Sequence, residues 1–293
     1  MERRPFGATG LSVSALGLGA GPLGDARFDE ASIAQLLLSA ADAGINFFDT
    51  ARGYGLSEER IGRALAPRRN DIVLCTKVGY GVEGHADWTG PCISRGIDDA
   101  LGRLRTDRLD VVLLHSCPAN VALRDDIVGA LEGAKRAGKA RSIGYSGDNE
   151  DLSAAIASRR FDVVEMSLSF VDQSAIDRQL ADARSAGLGV IAKRPIGNAP
   201  WRFDARPDAH DLGEYWARFR ALGLEPGPLP LDELALRFAA FLPGVSTSIV
   251  GTTKAENLRR NLTILEAGPL PEADQHALRD AYRRADRGWR GMI

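Results

Sequence analysis

The chain of 293 residues is poor in cysteine and histidine, its charges nearly cancel, and it has no long hydrophobic run. Each scarcity removes a class of protein. Its three cysteines, Cys75, Cys92 and Cys117, form no CxxC pair and no regular spacing. Free thiols in a reducing compartment are expected, and neither a disulfide framework nor a zinc site. His85, His210 and His276 lack paired ligand spacing, so no metal is expected. A formal net charge of -2 leaves no basic footprint for nucleic acid or an anionic membrane. The N-terminal MERRPFGATGLSVSALGLG has basic residues but no apolar segment of signal-peptide length, and no later run approaches a membrane span. A cytoplasmic location follows as the expectation.

What the chain does have is ordinary globular composition, 44% hydrophobic and 26% charged, and one unusual stretch, INFFDTARGYG from Ile45 to Gly55. The apolar run reads as a buried strand ending in Asp49, and the glycine-framed Tyr54 as part of the loop that leaves it. The earlier GLGAG at Gly17 to Gly21 is not a dinucleotide fingerprint. It runs into Pro22, lacks the third glycine in register and does not open directly into a helix. It reads as a turn that lets backbone approach a ligand or a neighbour closely.

Helical spacing from Asp29 to Gly44 precedes that strand, and Ser57 reads as the N-cap of a helix ending near Leu65. The alternation then continues to the end of the chain. Apolar runs at about Ala15 to Gly19, Ile45 to Asp49, Ile72 to Lys77, Val111 to His115, Ser142 to Ser146, Val163 to Ser167, Val190 to Lys193 and Ser248 to Gly251 alternate with helical segments. Eight such units predict an α/β fold, a closed (β/α)8 TIM barrel, as a single domain over 1–293. Long loops at 79–91 and 197–230 are expected to overhang its C-terminal mouth, with Trp88, Trp201 and Phe203 as candidate pocket walls. Arg103, Arg105 and Arg108 read as a solvated helix end, and Arg279, Arg283, Arg284 and Arg287 as an exposed face.

Active sites of such barrels are built at the C-terminal strand ends. Here those ends are Asp49, Lys77, His115, Ser146, Ser167, Lys193 and Gly251, with Tyr54 just beyond Asp49. A free phenol has a pKa of about 10, too high for proton transfer near neutrality. A neighbouring ammonium favours the phenolate, and a carboxylate keeps that ammonium charged and oriented. A neutral imidazole can donate a hydrogen bond to a carbonyl oxygen on which negative charge develops. Asp49, Tyr54, Lys77 and His115 therefore suit protonation of an oxyanion.

Over nearly its whole length the chain resembles the aldo-keto reductase superfamily. The resemblance rests on TGLSVSALGLGAG, FFDTARGYGLSEERIGRAL, LCTKVG, DRLDVVLLHS, the GYS turn and SIVGTTKAENLRRNL. It implies reduction of an aldehyde or ketone to an alcohol, or the reverse, with Tyr54 as general acid, Lys77 and Asp49 tuning it and His115 orienting the carbonyl. It also implies a nicotinamide coenzyme bound without a Rossmann fold, with NADP(H) favoured and NAD(H) admitted. The implied coenzyme contacts are Gly19, Ser146, Glu165, Lys193, Arg194, Gly251, Thr252, Thr253, Lys254, Asn257 and Asn261. Three positions depart from the family pattern. Gly147 follows Ser146 where an Asn is usual, with Asn149 two further on; Glu165 replaces a Gln; Lys193 stands where an aromatic residue usually does. Basic charge for a 2′-phosphate falls to Lys254 and Arg260. Two other readings remain: a coenzyme-binding regulatory or redox-sensing module with little turnover, and a lyase using Lys77 as a Schiff-base amine.

Overall fold

The computed structural model describes residues 1–224 and 227–293; Glu225 and Pro226, inside the loop expected at 197–230, lie outside the described residues. The chain opens with an antiparallel hairpin, β1 (Arg3–Pro5) and β2 (Ser12–Ser14). Eight parallel strands follow: β3 (Leu16–Gly19), β4 (Phe47–Asp49), β5 (Val73–Val78), β6 (Leu109–His115), β7 (Ala140–Ser146), β8 (Val163–Ser167), β9 (Gly189–Lys193) and β10 (Thr247–Val250). They close into a barrel in sequence order, with β10 pairing both β9 and β3. The predicted (β/α)8 architecture is the observed one.

Period-two alternation decides what fills the barrel. Phe47, Val73, Cys75, Val111, Leu113, Val163, Ile191 and Ile249 form one buried cluster inside it. Residues at the other parity, such as Phe48, Leu74, Val112, Leu114 and Val164, pack outward into the larger cluster made with the surrounding helices. On β4, β5, β6, β8 and β9 the inward series is apolar until its next step becomes Asp49, Lys77, His115, Glu165 or Lys193. Registers such as Asp49 beside Cys75, His115 beside Ser146 and Ser146 beside Glu165 hold these ends in one layer.

The opposite end is plugged. Phe6, Leu11 and Val13 from the hairpin join the inner cluster, and Phe6 meets Phe47 edge-on at 5.6 Å. A Cβ at Gly189 would lie 2.7 Å from the Phe6 ring, so that position must be glycine. The hairpin precedes the first apolar run counted in the sequence, about Ala15 to Gly19, and is not part of that reading. Ala15 separates β2 from β3, and its amide donates back to the Glu2 carbonyl.

One helix start also differs from expectation. Ser57 is the first residue of the helix Ser57–Leu65 and not its cap; its buried hydroxyl donates to the Ala20 carbonyl and accepts from Thr50. The first helix, Glu30–Asp42, does have its side-chain cap, with Asp29 accepting from the Ser32 amide. Two of the arginines read as solvated are structural. Arg103 pairs with buried Glu58 at 2.6 Å, and Arg279 donates to Gln173 and pairs with Asp177. No described helix is long and apolar enough to cross a membrane.

Candidate active site

The barrel mouth opens into a cleft of about 700 Å³. At its base β4 and β5 bring Asp49 and Lys77 together: the lysine Nζ donates to both carboxylate oxygens, at 2.5 and 2.7 Å, and to the Thr50 carbonyl at 3.2 Å. Both side chains are fully buried. Tyr54, on the loop after β4, lies with its ring centre 5.4 Å from the same Nζ. The loop is held by backbone packing: a Cβ at Gly24 would fall 1.6 Å from the Tyr54 carbonyl oxygen, and the Leu56 amide donates to the Gly24 carbonyl. His115, at the end of β6, meets the Tyr54 ring edge-on at 5.6 Å. The four side chains singled out in the sequence share one mouth.

Burial governs their protonation more than the sequence reading anticipates. It pushes the Tyr54 phenol up to about 12; Lys77 pulls the other way, while Asp49 and Glu165 add to the rise. The phenol is therefore a proton carrier at neutral pH, and not the phenolate that a lysine in water would favour. Burial, with Lys77 second, pushes His115 down to about 4, leaving the imidazole neutral. Tyr80 was not singled out in the sequence, yet its hydroxyl lies 3.0 Å from His115 Nδ1 and its ring stacks on the imidazole. With Tyr80 as donor, Nδ1 is the acceptor and Nε2 carries the proton. Its only local signal is that it follows the end of β5 by two residues.

Lys77 is not a free amine. Although burial opposes its charge, Asp49 and then Glu165 hold it well above its ordinary value. A Schiff-base lysine must be neutral and accessible, so the lyase reading loses its nucleophile.

The departures from the family pattern have structural consequences. Glu165 Oε1 accepts from the Ser146 hydroxyl at 3.0 Å, and its Oε2 lies 3.3 Å from Lys77 Nζ. Among the described residues, Oε2 has no hydrogen-bond partner. Lys193 pairs with buried Asp148 at 2.9 Å. Arg194 donates to the Ser167 hydroxyl and the Met292 carbonyl, both neutral, so of the two cations only Lys193 has a carboxylate partner. Asn149 is taken by the C-terminal segment, exchanging hydrogen bonds with the backbone of Gly291 at 2.8 and 2.9 Å.

Of the sequence-derived coenzyme contacts, Gly19, Glu165, Lys193, Arg194, Gly251, Thr252, Asn257 and Asn261 line the cleft. Ser146 is buried behind it. Thr253 and Lys254 are not among the residues lining the cleft, and the Lys254 side chain is 69% exposed beside Glu256. The loop turns at Thr252, whose hydroxyl accepts from the Lys254 amide, and this carries the next two residues outward. Arg260 lines the cleft, and its guanidinium is shared with Asp232. Trp201 is a wall residue, whereas Trp88 packs on Tyr80 and the Phe203 carbonyl accepts from Trp216.

The helix Ala255–Glu266 begins at this cleft with no side-chain cap on its first amides. Such an end suits an anionic group. The buried end of the cleft offers the Glu165 oxygen, which can only accept. An elongated molecule with phosphates at one end and an N–H donor at the other fits these residues, as a nicotinamide dinucleotide does.

Comparison with known proteins agrees with the architecture. The Aldo/keto reductase family model matches residues 15–283. A holo-form aldo-keto reductase from Bacillus halodurans superposes with a TM-score of 0.84 at 27% identity, covering 96% of each chain. L-galactose dehydrogenase of Arabidopsis thaliana is 29% identical over 95% of this chain and 92% of its own. A probable voltage-gated potassium channel subunit beta of Oryza sativa subsp. japonica is 28% identical over 92% of this chain and 93% of its own. Because the matched span runs through all eight barrel strands, the chain belongs to the aldo/keto reductase family, whose general chemistry is NAD(P)H-dependent carbonyl reduction, and it is an oxidoreductase.

Proposed function

We propose that this protein interconverts an aldehyde or ketone and the corresponding alcohol, with Tyr54 as the proton donor. One observation supports this most: a protonated phenol, a carboxylate-clamped ammonium and a neutral imidazole face one mouth. In that role the Tyr54 hydroxyl gives its proton to the carbonyl oxygen. The charge left on the phenolate is offset by Lys77, which Asp49 keeps protonated and in place. His115, with Nδ1 engaged by Tyr80, offers Nε2–H to the same oxygen and orients it. The coenzyme supplies the hydride when bound.

For the coenzyme we favour NADP(H) over NAD(H). Arg260 at the cleft and the more distant Lys254 supply positive charge for a 2′-phosphate, although Arg260 shares its guanidinium with Asp232. The expected substrate is a small carbonyl compound or alcohol that packs against Trp201. A cytoplasmic setting and independence from nucleic acid remain part of this reading, on charge and composition alone.

A second reading, a coenzyme-binding regulatory module with little turnover, draws on Glu165, Gly147 and Lys193 in the coenzyme half and on the likeness to the rice channel subunit. One experiment separates the two. Purified protein is titrated with NADPH and NADH by fluorescence, then given nitrobenzaldehyde and methylglyoxal while absorbance of the reduced coenzyme is followed. Binding with steady consumption supports the reductase, binding without consumption supports the regulatory module, and absence of binding contradicts both.

A further inference from the structure

The base of the cleft holds one more negative charge than the proposed chemistry uses. Lys77 is neutralised by Asp49, which it contacts through two hydrogen bonds. Glu165 then adds a second carboxylate to the same ammonium, with Oε2 3.3 Å from Nζ and the side chain only 3% exposed. The other ionisable groups facing this point do not balance it. From β9, Lys193 is already paired with Asp148, which follows β7; Arg194, just after β9, also lines the cleft but is held by the neutral Ser167 hydroxyl and Met292 carbonyl, and the described ion pair of Glu165 is with Lys77. From β6, His115 is neutral; from β5, burial raises the Cys75 thiol and keeps it protonated; Tyr54 keeps its proton. Ser146 donates a hydrogen bond to Glu165 and contributes no charge.

With Asp49 and Glu165 both ionised, the cluster has two anions against one cation. Burying an uncompensated charge is costly, and a neutral glutamine of the same shape would avoid that cost. Glu165 lines the cleft and its Oε2 has no hydrogen-bond partner among the described residues, so a ligand there can complete what the protein leaves open. The two redox forms of a nicotinamide coenzyme share their shape and phosphates. They differ at the ring, which is cationic when oxidised and neutral when reduced. A fixed excess negative charge distinguishes them where hydrogen bonds do not.

We infer that Glu165 biases the cleft toward the oxidised coenzyme, binding NAD(P)+ more tightly relative to NAD(P)H than a glutamine at this position would. The inference rests on the nicotinamide reading of the cleft. Glu165 acts here as a specificity residue for redox state, distinct from any hydrogen bond it makes to the carboxamide, which both forms carry.

The test is the ratio of dissociation constants, oxidised over reduced, measured by calorimetry at about pH 8, above the value near which Asp49 titrates. Glu165→Gln is expected to raise this ratio about tenfold, and Glu165→Asp to stay near wild type. A ratio unmoved by Glu165→Gln overturns the inference while leaving the nicotinamide reading intact; no binding of either form to wild type overturns both. Should Glu165→Gln not fold, the wild-type protein suffices. Burial raises Asp49 to about 7, so at about pH 6 its protonation cancels the excess charge, and the ratio is expected to rise several-fold from its value at about pH 8. A ratio constant across that interval contradicts the inference.

Discussion

The two ends of the same strands differ by one step of the pleat. At the hairpin end, β4, β5, β6, β8 and β9 turn Phe47, Val73, Val111, Val163 and Ile191 inward against Phe6, Leu11 and Val13. At the mouth, the inward positions that follow are Asp49, Lys77, His115, Glu165 and Lys193. Inside the barrel, the hairpin end has only apolar contacts to lose. The other contains buried charges, each of which is tolerable only while its partner is present. The barrel thus separates stability from chemistry along its axis, although incompletely, because the mouth's ion cluster is also buried structure.

Lys77→Met should break that separation most severely. It leaves Asp49 and Glu165 buried without their cation, at an expected cost of about 3–5 kcal/mol in denaturant unfolding, together with loss of turnover. A cost below ~1 kcal/mol would mean that the cluster contributes little to folding. Phe6→Ala tests the other end. A fully buried ring is removed, and a loss of about 3–4 kcal/mol is expected with kcat of the folded protein unchanged. A changed kcat would show that the plug and the mouth are coupled.

His115 sharpens the comparison on the pH axis. Its folded pKa is depressed from 6.5 to about 4, so the neutral ring is kept as pH falls through 6.5 and lost only near 4. Its ring resonances in an NMR titration should have their midpoint near 4; a midpoint near 6.5 would place the ring in solvent. Tyr80→Phe is the mildest change. It removes the Nδ1 partner without creating a buried orphan, since the ring edge is partly exposed, and should lower kcat/KM by about two- to tenfold with stability nearly unchanged.

The barrel was legible because period-two alternation is local: Val111-Val112-Leu113-Leu114-His115 contains both its buried faces and its polar end. Asp49, Tyr54, Lys77 and His115 were legible for the same reason, as ends of successive strands or the loop just after one. What was not legible depends on pairing between distant segments. Nothing near Lys77 announces that Glu165, on β8, will be its second carboxylate. Asn149 gives no sign that Gly291 will occupy its side chain, nor Ser57 that Ala20 will accept its hydroxyl. The expected lowering of the Tyr54 pKa by Lys77 failed for a related reason. Charge type is written in the sequence, but the depth of burial that outweighs it is not.

The central claim is that the Tyr54 hydroxyl carries the proton of the reaction. Tyr54→Phe removes that oxygen and leaves the ring, so the expected result is a fall in kcat of at least about a thousandfold with the dissociation constant for NADPH within roughly twofold of wild type. Turnover retained at wild-type level in this variant would contradict the account.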